Sequence, residues 1–171
     1  MGVLKIDRKL QDQLFHEIQD SLDNELNYQI EAQNLAVART FHEALDSKIV
    51  IPQVYEDYSS RHILTLSLEE GESIETASTW SQETRNELGR RLLRAMGQEI
   101  FFLKRFHCDP HPGNFAFRED GTVIIYDFGG VKILSNDTVQ QFKALIRAAR
   151  AENIPEIDEL NPSFFPSSYI P

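Results

Sequence analysis

The sequence contains a single cysteine, Cys108, among its 171 residues. One cysteine cannot form an internal disulfide, which fits a reducing compartment and excludes a small domain held together by disulfides. The sequence also lacks any apolar run of roughly 18 residues, the length that a membrane-spanning helix needs. No basic stretch followed by an apolar core stands at the N-terminus. The sequence therefore predicts neither a membrane span nor a signal peptide.

Basic residues are scarce, with 17 Lys and Arg against 27 Asp and Glu and a formal net charge of −10. Proteins that bind a nucleic-acid backbone usually need a basic face, so the composition argues against nucleic acid as the main partner. The charge does not exclude a phosphate ligand, because acidic residues can hold Mg²⁺, which in turn binds an anionic nucleotide. The apolar fraction of 41% is ordinary for a soluble globular protein.

Hydrophobic periodicity predicts four longer helices, which cover residues 9–22, 24–45, about 81–101 and 136–151. The side chains that could cap the last two helices are Ser81 or Thr84 and Asn136 or Asp137. The third helix is predicted to bury Leu88, Leu92, Leu93, Ala95, Met96, Ile100 and Phe101. The fourth is predicted to bury Val139, Phe142, Leu145, Ile146 and Ala149.

Between these helices the sequence predicts two antiparallel hairpins. One joins residues 48–55 to 62–68, and the other joins 115–117 to 123–126 around an Asp-Gly turn. A short helix is expected near Ser73 or Thr76, and the tail Asn161–Pro171 is expected to be irregular. Helices and hairpins in this order indicate an α+β fold, because repeated βαβ units are missing.

Three polar side chains stand out near the predicted second hairpin. Asp109 and Asn114 lie five residues apart in a loop rich in Pro and Gly, and Asp127 directly follows an apolar strand. Carboxylate and amide oxygens are ligands that suit a hard cation such as Mg²⁺. The residue types alone therefore predict a place for Mg²⁺ on a polyphosphate.

The spacing His-x-Asp-x-x-x-x-Asn, followed by Asp-Phe-Gly at 127–129, is a protein-kinase pattern. Two segments resemble the UbiB/AarF (ABC1-type, ADCK-like) atypical kinase family. They are residues 106–114, with the sequence Phe-His-Cys-Asp-Pro-His-Pro-Gly-Asn, and residues 25–34. The resemblance covers roughly residues 10–155. It implies a protein-kinase-like fold, with a partial N-lobe over residues 1–71 (helix C and a β-hairpin) and a C-lobe over 72–171 that contains the catalytic loop.

The resemblance also implies roles for five residues and the use of ATP and Mg²⁺. Asp109 would orient or deprotonate an attacking hydroxyl, and Asn114 and Asp127 would hold the metal ion. His111 stands where many protein kinases have a phosphate-contacting lysine, and a solvent-facing loop histidine is an equal alternative. Glu31 matches the helix-C glutamate that pairs with a nucleotide-binding lysine.

Two neighbours of these residues are interpreted structurally. His107 is predicted to make a hydrogen bond to the backbone near Asp127 and not to take part in catalysis. Cys108 is interpreted as a small packing residue, since no base beyond the loop histidines is indicated to activate it as a nucleophile.

The sequence departs from the family pattern at its N-terminal end. The family's Glu-x-Asp element reads Glu25-x-Asn27 here, and the Ala-rich nucleotide loop, the Lys-x-Gly-Gln segment and the strand lysine are not found. Lys5 has no Gly-rich loop before it. These departures predict a fragment of a longer protein or a degenerate product, and they leave open whether the chain is an enzyme.

The sequence supports three functional hypotheses. The first is an ATP-dependent phosphotransferase or ATPase linked by resemblance to ubiquinone biosynthesis, with a lipid, small-molecule or protein acceptor. The second is a pseudokinase-like nucleotide-binding or scaffold fragment without catalysis. The third is an aminoglycoside- or choline-type phosphotransferase, which the Asp-Phe-Gly and Pro-His-Pro-Gly motifs disfavour. The expected location is cytoplasmic, with peripheral membrane association of an intact parent protein.

Overall fold

The computed structural model describes Phe15, residues 27–155 and Ile157. The predicted helix over 9–22, apart from the helical Phe15, lies outside the described residues, as do Lys5, Glu25 and the tail Asn161–Pro171. The described helices and strands are, in chain order, α1 Tyr28–Glu43, β1 Ile49–Val50, α2 Ile74–Ala77, α3 Gln82–Gln98, β2 Arg105–His107, β3 Phe115–Phe117, β4 Val123–Ile125, β5 Val131–Ile133 and α4 Asn136–Arg150.

The chain forms two compact units. The first consists of Met1–Ala95 with His107–Val131, and the second consists of Met96–Phe106 with Lys132–Pro171. The boundary passes through α3 and through β2 and β5, which pair as a two-stranded sheet. The division into lobes at residue 71 stays a prediction.

The first unit is built on a three-stranded sheet in the order β1-β4-β3. The central strand β4 is buried along its whole length, pairs in parallel with β1 and pairs antiparallel with β3. Gly121 has a φ of +88° in the turn that joins β3 to β4, a conformation that glycine adopts without steric cost. The predicted Asp-Gly hairpin is therefore confirmed.

The other predicted hairpin is only partly confirmed. Residues 53–55 and 65–67 do contact each other in antiparallel fashion, since Tyr55 N donates to Thr65 O over 2.9 Å. β1, however, pairs in parallel with β4 and not with residues 62–68. The buried Pro52 has no N–H to donate, and it separates the part of the segment that joins the sheet from the part that contacts 65–67.

Helices α1 and α3 confirm the periodicity of the sequence. Asn27 caps α1 by accepting a hydrogen bond from Gln29 N, and the Ser81 hydroxyl caps α3 by accepting one from Thr84 N over 3.1 Å. The predicted burial of Leu93 is wrong, because its side chain is 73% exposed. After α3 the chain continues as a π-helical turn, Glu99–Leu103, instead of an α-helix to residue 101.

The predicted short and fourth helices form, with one different cap. Ser73 caps α2, whereas α4 is capped by Ser135, which accepts from Thr138 N, and not by Asn136 or Asp137. Val139 is buried as predicted. Ile146 and Ala149 are exposed, and Ala148 is buried in their place. Val139 and Ala148 are two and a half turns apart, so burial on α4 does not follow a single stripe that periodicity could identify.

Arg91 of α3 joins three parts of the first unit. Its Nε lies 2.9 Å from Asp46 Oδ2, its Nη2 lies 2.9 Å from Glu87 Oε1, and its Nη1 donates to the backbone oxygen of Gly121 over 2.5 Å. The side chains of Arg91 and Asp46 are only 14% and 22% exposed. A partly buried arginine with three partners is expected to contribute to stability, unlike a solvent-exposed ion pair.

Replacing Arg91 with methionine should lower the free energy of unfolding by about 1–3 kcal/mol, because the partly buried Asp46 carboxylate and the Gly121 carbonyl lose their donor. Urea unfolding measures this change. The matched control is Arg90→Met, which removes only an exposed pair with Glu87 and should change stability by less than about 0.5 kcal/mol. Equal losses in the two variants would contradict the prediction.

Candidate active site

His107 connects the polar loop, residues 107–114, to the segment that begins at Asp127. Its Nε2 lies 2.7 Å from the backbone oxygen of Asp127, and its Nδ1 accepts a hydrogen bond from Asp109 N over 3.2 Å. Since Nδ1 accepts, the ring carries its proton on Nε2 and donates it to the Asp127 carbonyl. The ring is 7% exposed and packs on Phe128 at a centroid distance of 5.6 Å. The structural role predicted for His107 is confirmed.

The loop between Asp109 and Asn114 is closed by hydrogen bonds of its own. His111 Nδ1 accepts from Gly113 N over 3.1 Å, and Asn114 N donates to His111 O over 2.9 Å. The Asn114 side chain donates from Nδ2 to the backbone oxygen of Asp109 over 3.1 Å. This bond fixes the orientation of the Asn114 amide and leaves its Oδ1 available to accept a hydrogen bond or to contact a cation.

The hairpin of β3 and β4 brings Asn114 and Asp127 to the same end of the sheet. Asn114 precedes β3 and Asp127 comes soon after β4, and Tyr126 N donates to Asn114 O over 2.9 Å. One carboxylate oxygen of Asp127, Oδ1, accepts a hydrogen bond from Gly129 N over 2.7 Å. Asn114 and Asp127 are both half-buried.

Helix α1 places Glu31 directly against Asp127. The two carboxyl groups are hydrogen-bonded to each other, and the backbone N–H of Phe128 also donates to Glu31. Burial, and then the charge of Asp127, raise the pKa of Glu31 to about 7. Near neutral pH, Glu31 therefore carries a proton about half of the time. Asn34, one turn further along α1, donates to Phe128 O over 3.0 Å and secures the same contact.

A lysine partner for Glu31, which the resemblance implies, is not present in the described part of the chain. No Lys or Arg of residues 27–155 forms an ion pair with Glu31. Gly129 allows the contact of Glu31 with Asp127, since a Cβ at Gly129 would lie 3.3 Å from Asp127 Oδ1 and 3.5 Å from Glu31 Oε2.

Asp109, Cys108 and His111 are exposed at the edge of the site. Within the described residues the Asp109 carboxylate makes no hydrogen bond or ion pair, so it is accessible to an incoming hydroxyl group. His111 uses Nδ1 to cap the loop, which leaves Nε2 for a ligand. The packing role predicted for Cys108 is wrong: its backbone N donates to Gly130 O over 2.7 Å, while its side chain is exposed.

A groove of about 500 Å³ adjoins the loop. Tyr126 stands at its inner side, and the Tyr126 hydroxyl donates to Glu69 O over 2.6 Å. A Cβ at Gly71 would come within 2.8 Å of Ile124 Cδ1 and 2.9 Å of Ala116 Cβ, so the chain can pass this close to the sheet only as glycine. The lining consists of Gly71, Ser73, Glu75, His111, Pro112, Gly113, Phe115, Ala116 and Tyr126.

The sequence reading missed the part of this groove formed by Gly71, Ser73, Glu75 and Tyr126. Two signals could have found it. Gly71 stands alone among the acids Glu69, Glu70 and Glu72, where a solvated linker would not need a glycine. Tyr126 directly precedes Asp127, the predicted metal ligand, which made it a candidate for the surroundings of the site.

The ABC1 atypical kinase-like domain matches residues 3–161 of the chain. The chain belongs to this family. The resemblance to UbiB/AarF-type kinases and the α+β, protein-kinase-like fold predicted from the sequence are therefore confirmed.

Three similar proteins are informative. Atypical kinase COQ8B, mitochondrial, of Danio rerio is 31% identical over 140 residues, which are 77% of this chain and 22% of that protein. Atypical kinase COQ8, mitochondrial, of Saccharomyces cerevisiae is 27% identical over 129 residues, which are 73% of this chain and 26% of that protein. The chain thus spans about a quarter of the length of these relatives.

The third is a solved structure, the complex of Rv3197 with erythromycin from Mycobacterium tuberculosis. It superposes with a TM-score of 0.66 and 26% sequence identity, covering 86% of this chain and 37% of that one.

The oxygen ligands available at the site suit Mg²⁺ that binds together with phosphate. Within the described residues no three His, Cys, Asp or Glu side chains form a metal-binding group. Asn114 and Asp127 could supply two oxygen ligands, and phosphate oxygens and water would supply the others. Mg²⁺ commonly binds through one or two protein ligands together with substrate phosphates, so the residues present suit that ion.

Replacing Glu31 with glutamine should change how stability depends on pH in metal-free buffer. Burial, and then the charge of Asp127, raise the pKa of Glu31 in the folded state to about 7, from an ordinary value of 4.5. The folded state of the wild type is therefore most stable below pH 4.5. Its free energy of unfolding falls as the pH rises from 4.5 to about 7 and beyond. The variant lacks this loss. It should gain about 2 kcal/mol relative to wild type between pH 5 and pH 8.

Urea unfolding at both pH values, in the presence of a chelator, measures this gain. Glu56→Gln, on an exposed turn, is the matched control and should follow the wild type at each pH. If Glu31→Gln also follows the wild type, the contact between the two carboxyl groups does not control the ionisation of Glu31.

Proposed function

We propose that the chain is an ATP-dependent phosphotransferase or ATPase module that works with Mg²⁺. The observation that carries this proposal is the pair of oxygen ligands, Asn114 Oδ1 and the Asp127 carboxylate, held at one end of the β3–β4 hairpin. The exposed Asp109 lies in the same loop as Asn114, and the groove adjoins that loop. A hard-cation site, a free carboxylate and a groove are the parts that phosphoryl transfer needs.

The residues of the chain would act mainly by positioning. When bound, Mg²⁺ neutralises the charge between the β- and γ-phosphates. Asn114 and Asp127 would hold the ion, and their hydrogen bonds to Asp109 O and Gly129 N fix them before the ligand arrives. Asp109 would orient the acceptor hydroxyl and take its proton. His111 would contact phosphate through Nε2, the ring nitrogen that the loop does not use.

The groove would hold the nucleoside. Its volume of about 500 Å³ falls within the usual range for small-molecule sites. Phe115, Ala116 and Tyr126 provide apolar surface for a base, while Ser73 and Glu75 provide a hydroxyl group and a carboxylate that could bind ribose. In a longer parent protein, Glu31 would pair with a nucleotide-binding lysine.

The biological setting follows from the family. Two of the relatives are named mitochondrial atypical kinases, COQ8B and COQ8, and another is named a chloroplastic kinase of the ABC1 type. With the resemblance to UbiB, the two COQ8 relatives support a role in ubiquinone biosynthesis. The acceptor would be a lipid, a small molecule or a protein, and an intact parent protein would associate peripherally with a membrane.

No helix in the described part of the chain is long and apolar enough to cross a bilayer.

A nucleotide-binding module without catalysis is the second candidate, and one observation favours it. The Glu31 carboxyl group occupies a hydrogen-bonding position on Asp127, where a catalytic site would have Glu31 paired with a lysine. Binding and turnover must therefore be tested separately.

Calorimetric titration with ATP in Mg²⁺ should show binding that Asp127→Asn weakens at least tenfold, because the variant loses the carboxylate charge that holds the ion. Omitting Mg²⁺ should weaken binding to the wild type to a similar extent. Asp57→Asn, on an exposed turn, is the matched control and should bind as the wild type does. A wild-type chain that gives no heat of binding would contradict nucleotide function for this chain.

Replacing Asp109 with asparagine should lower phosphate release from ATP at least 100-fold while leaving ATP binding within threefold of wild type, because only the proton acceptor is lost. Phosphate release and calorimetry on the same preparations measure the two quantities. Release that persists in the variant would show that Asp109 is not the essential base. A wild type that binds ATP but releases no phosphate would favour the non-catalytic candidate.

A further inference from the structure

A second cavity, of about 260 Å³, lies between α2, α3 and β3, on the opposite side of α2 from the groove. Ile74 and Ala77 of α2 form one wall, Leu88 and Leu92 of α3 form another, and Phe117 of β3 forms the floor. The surface inside is almost wholly apolar. The sequence is strongly acidic overall, yet no acidic side chain lines this space.

Gly89 belongs to the α3 wall of the cavity. A Cβ at this position would meet nothing within 4 Å, so the glycine is not required by close packing against a neighbour. A glycine inside a helix costs about 1 kcal/mol relative to alanine. A larger side chain at position 89 therefore has room beside the cavity without displacing a neighbour.

Arg85 supplies the one charged group that lines the cavity. It lies one helical turn before Gly89, and its Nη1 donates to Ser78 O over 3.1 Å while its Nη2 donates to Gln82 Oε1 over 2.7 Å. These two bonds hold the guanidinium at the edge of an apolar space. A guanidinium has five N–H donors, so donors remain for a carboxylate, which its planar shape recognises well.

We propose that this cavity binds a medium-chain carboxylic acid, with the apolar chain between α2 and α3 and the carboxylate on Arg85. A dry cavity of about 150 Å³ can hold benzene, so 260 Å³ accommodates roughly ten non-hydrogen atoms. The proposal does not depend on nucleotide binding. Ser73 and Glu75 line the groove, whereas Ile74, Ala77 and Ser78 line this cavity, so the two ligands would lie on different faces of α2.

The single tryptophan lies close along the chain to the α2 wall of this site. Trp80 is three residues beyond the end of α2, donates from its backbone N to Ala77 O over 3.2 Å, and is partly buried against the core. Titration of the full chain with decanoate, below its micelle-forming concentration, should give a saturable change in Trp80 fluorescence. Decan-1-ol, which has the same chain length and no charge, should bind at least tenfold more weakly. If neither Trp80 fluorescence nor the amide ¹H–¹⁵N resonances of residues 74–92 respond saturably to decanoate, the proposal is overturned.

Two variants and one control localise the ligand. Gly89→Leu fills the cavity and should abolish the response to both compounds, whereas Arg85→Gln should weaken decanoate at least tenfold and leave decan-1-ol unchanged. Leu93→Ala alters an exposed residue of α3 that does not line the cavity, and it should titrate as the wild type does. Decanoate binding by Gly89→Leu with wild-type affinity would overturn the proposal.

A measurement on the wild type guards against misfolding of the filled variant. In amide ¹H–¹⁵N spectra, decanoate should shift resonances of residues 74–78 and 85–92 and leave those of residues 109–114 unchanged. Shifts confined to the loop 109–114, or spread evenly over the chain, would place the ligand elsewhere and overturn the proposal.

Discussion

The buried strand β4 is the constraint on which the rest of the first unit depends. Val123, Ile124 and Ile125 are each at most 3% exposed, and the strand hydrogen-bonds to β1 on one edge and to β3 on the other. Its backbone groups are thus satisfied without water, as buried polar groups must be. Because the strand is fixed on both edges, the residues that follow it have little freedom. Asp127 lies two residues after β4, so the position of the strand fixes the position of Asp127.

Asp127 is then held by several contacts that act independently. His107 binds its backbone oxygen, Gly129 N binds its side chain, and α1 reaches it through Glu31. These contacts come from different parts of the chain. His107 and Gly129 N therefore hold Asp127 in place, while the Glu31 carboxyl group takes up a hydrogen-bonding position on its carboxylate.

The parts of the molecule that were predicted correctly from the sequence are those held together by residues close to one another in the chain. The loop from His107 to Asn114 closes through bonds between near neighbours, and the β3–β4 hairpin needs only its Asp-Gly turn, so their residue types and spacing were sufficient. Contacts between distant residues were not predictable in this way. Nothing in the periodicity of α1 shows that Glu31 meets Asp127, and nothing near Arg91 identifies Asp46 as its partner.

Burial was equally hard to infer where a helix is covered on more than one side. On α3 the stripe correctly included Leu88 and Ala95 but also included Leu93, which faces solvent. The segment after α1 was assigned to a hairpin because β-branched residues fit any sheet. The choice of β4 as its partner depends on the rest of the fold.

The parallel pairing of β1 with β4 has a consequence for biosynthesis. Ile49 and Val123 are opposite each other in the sheet but far apart along the chain, and such contacts form slowly because a long loop must close first. As the chain leaves the ribosome, the buried Ile49 and Ile51 emerge long before β4, the strand with which β1 pairs. Until then these apolar residues are exposed to water and to other unfolded chains. The nascent chain is therefore most prone to aggregation while β4 is still being synthesised.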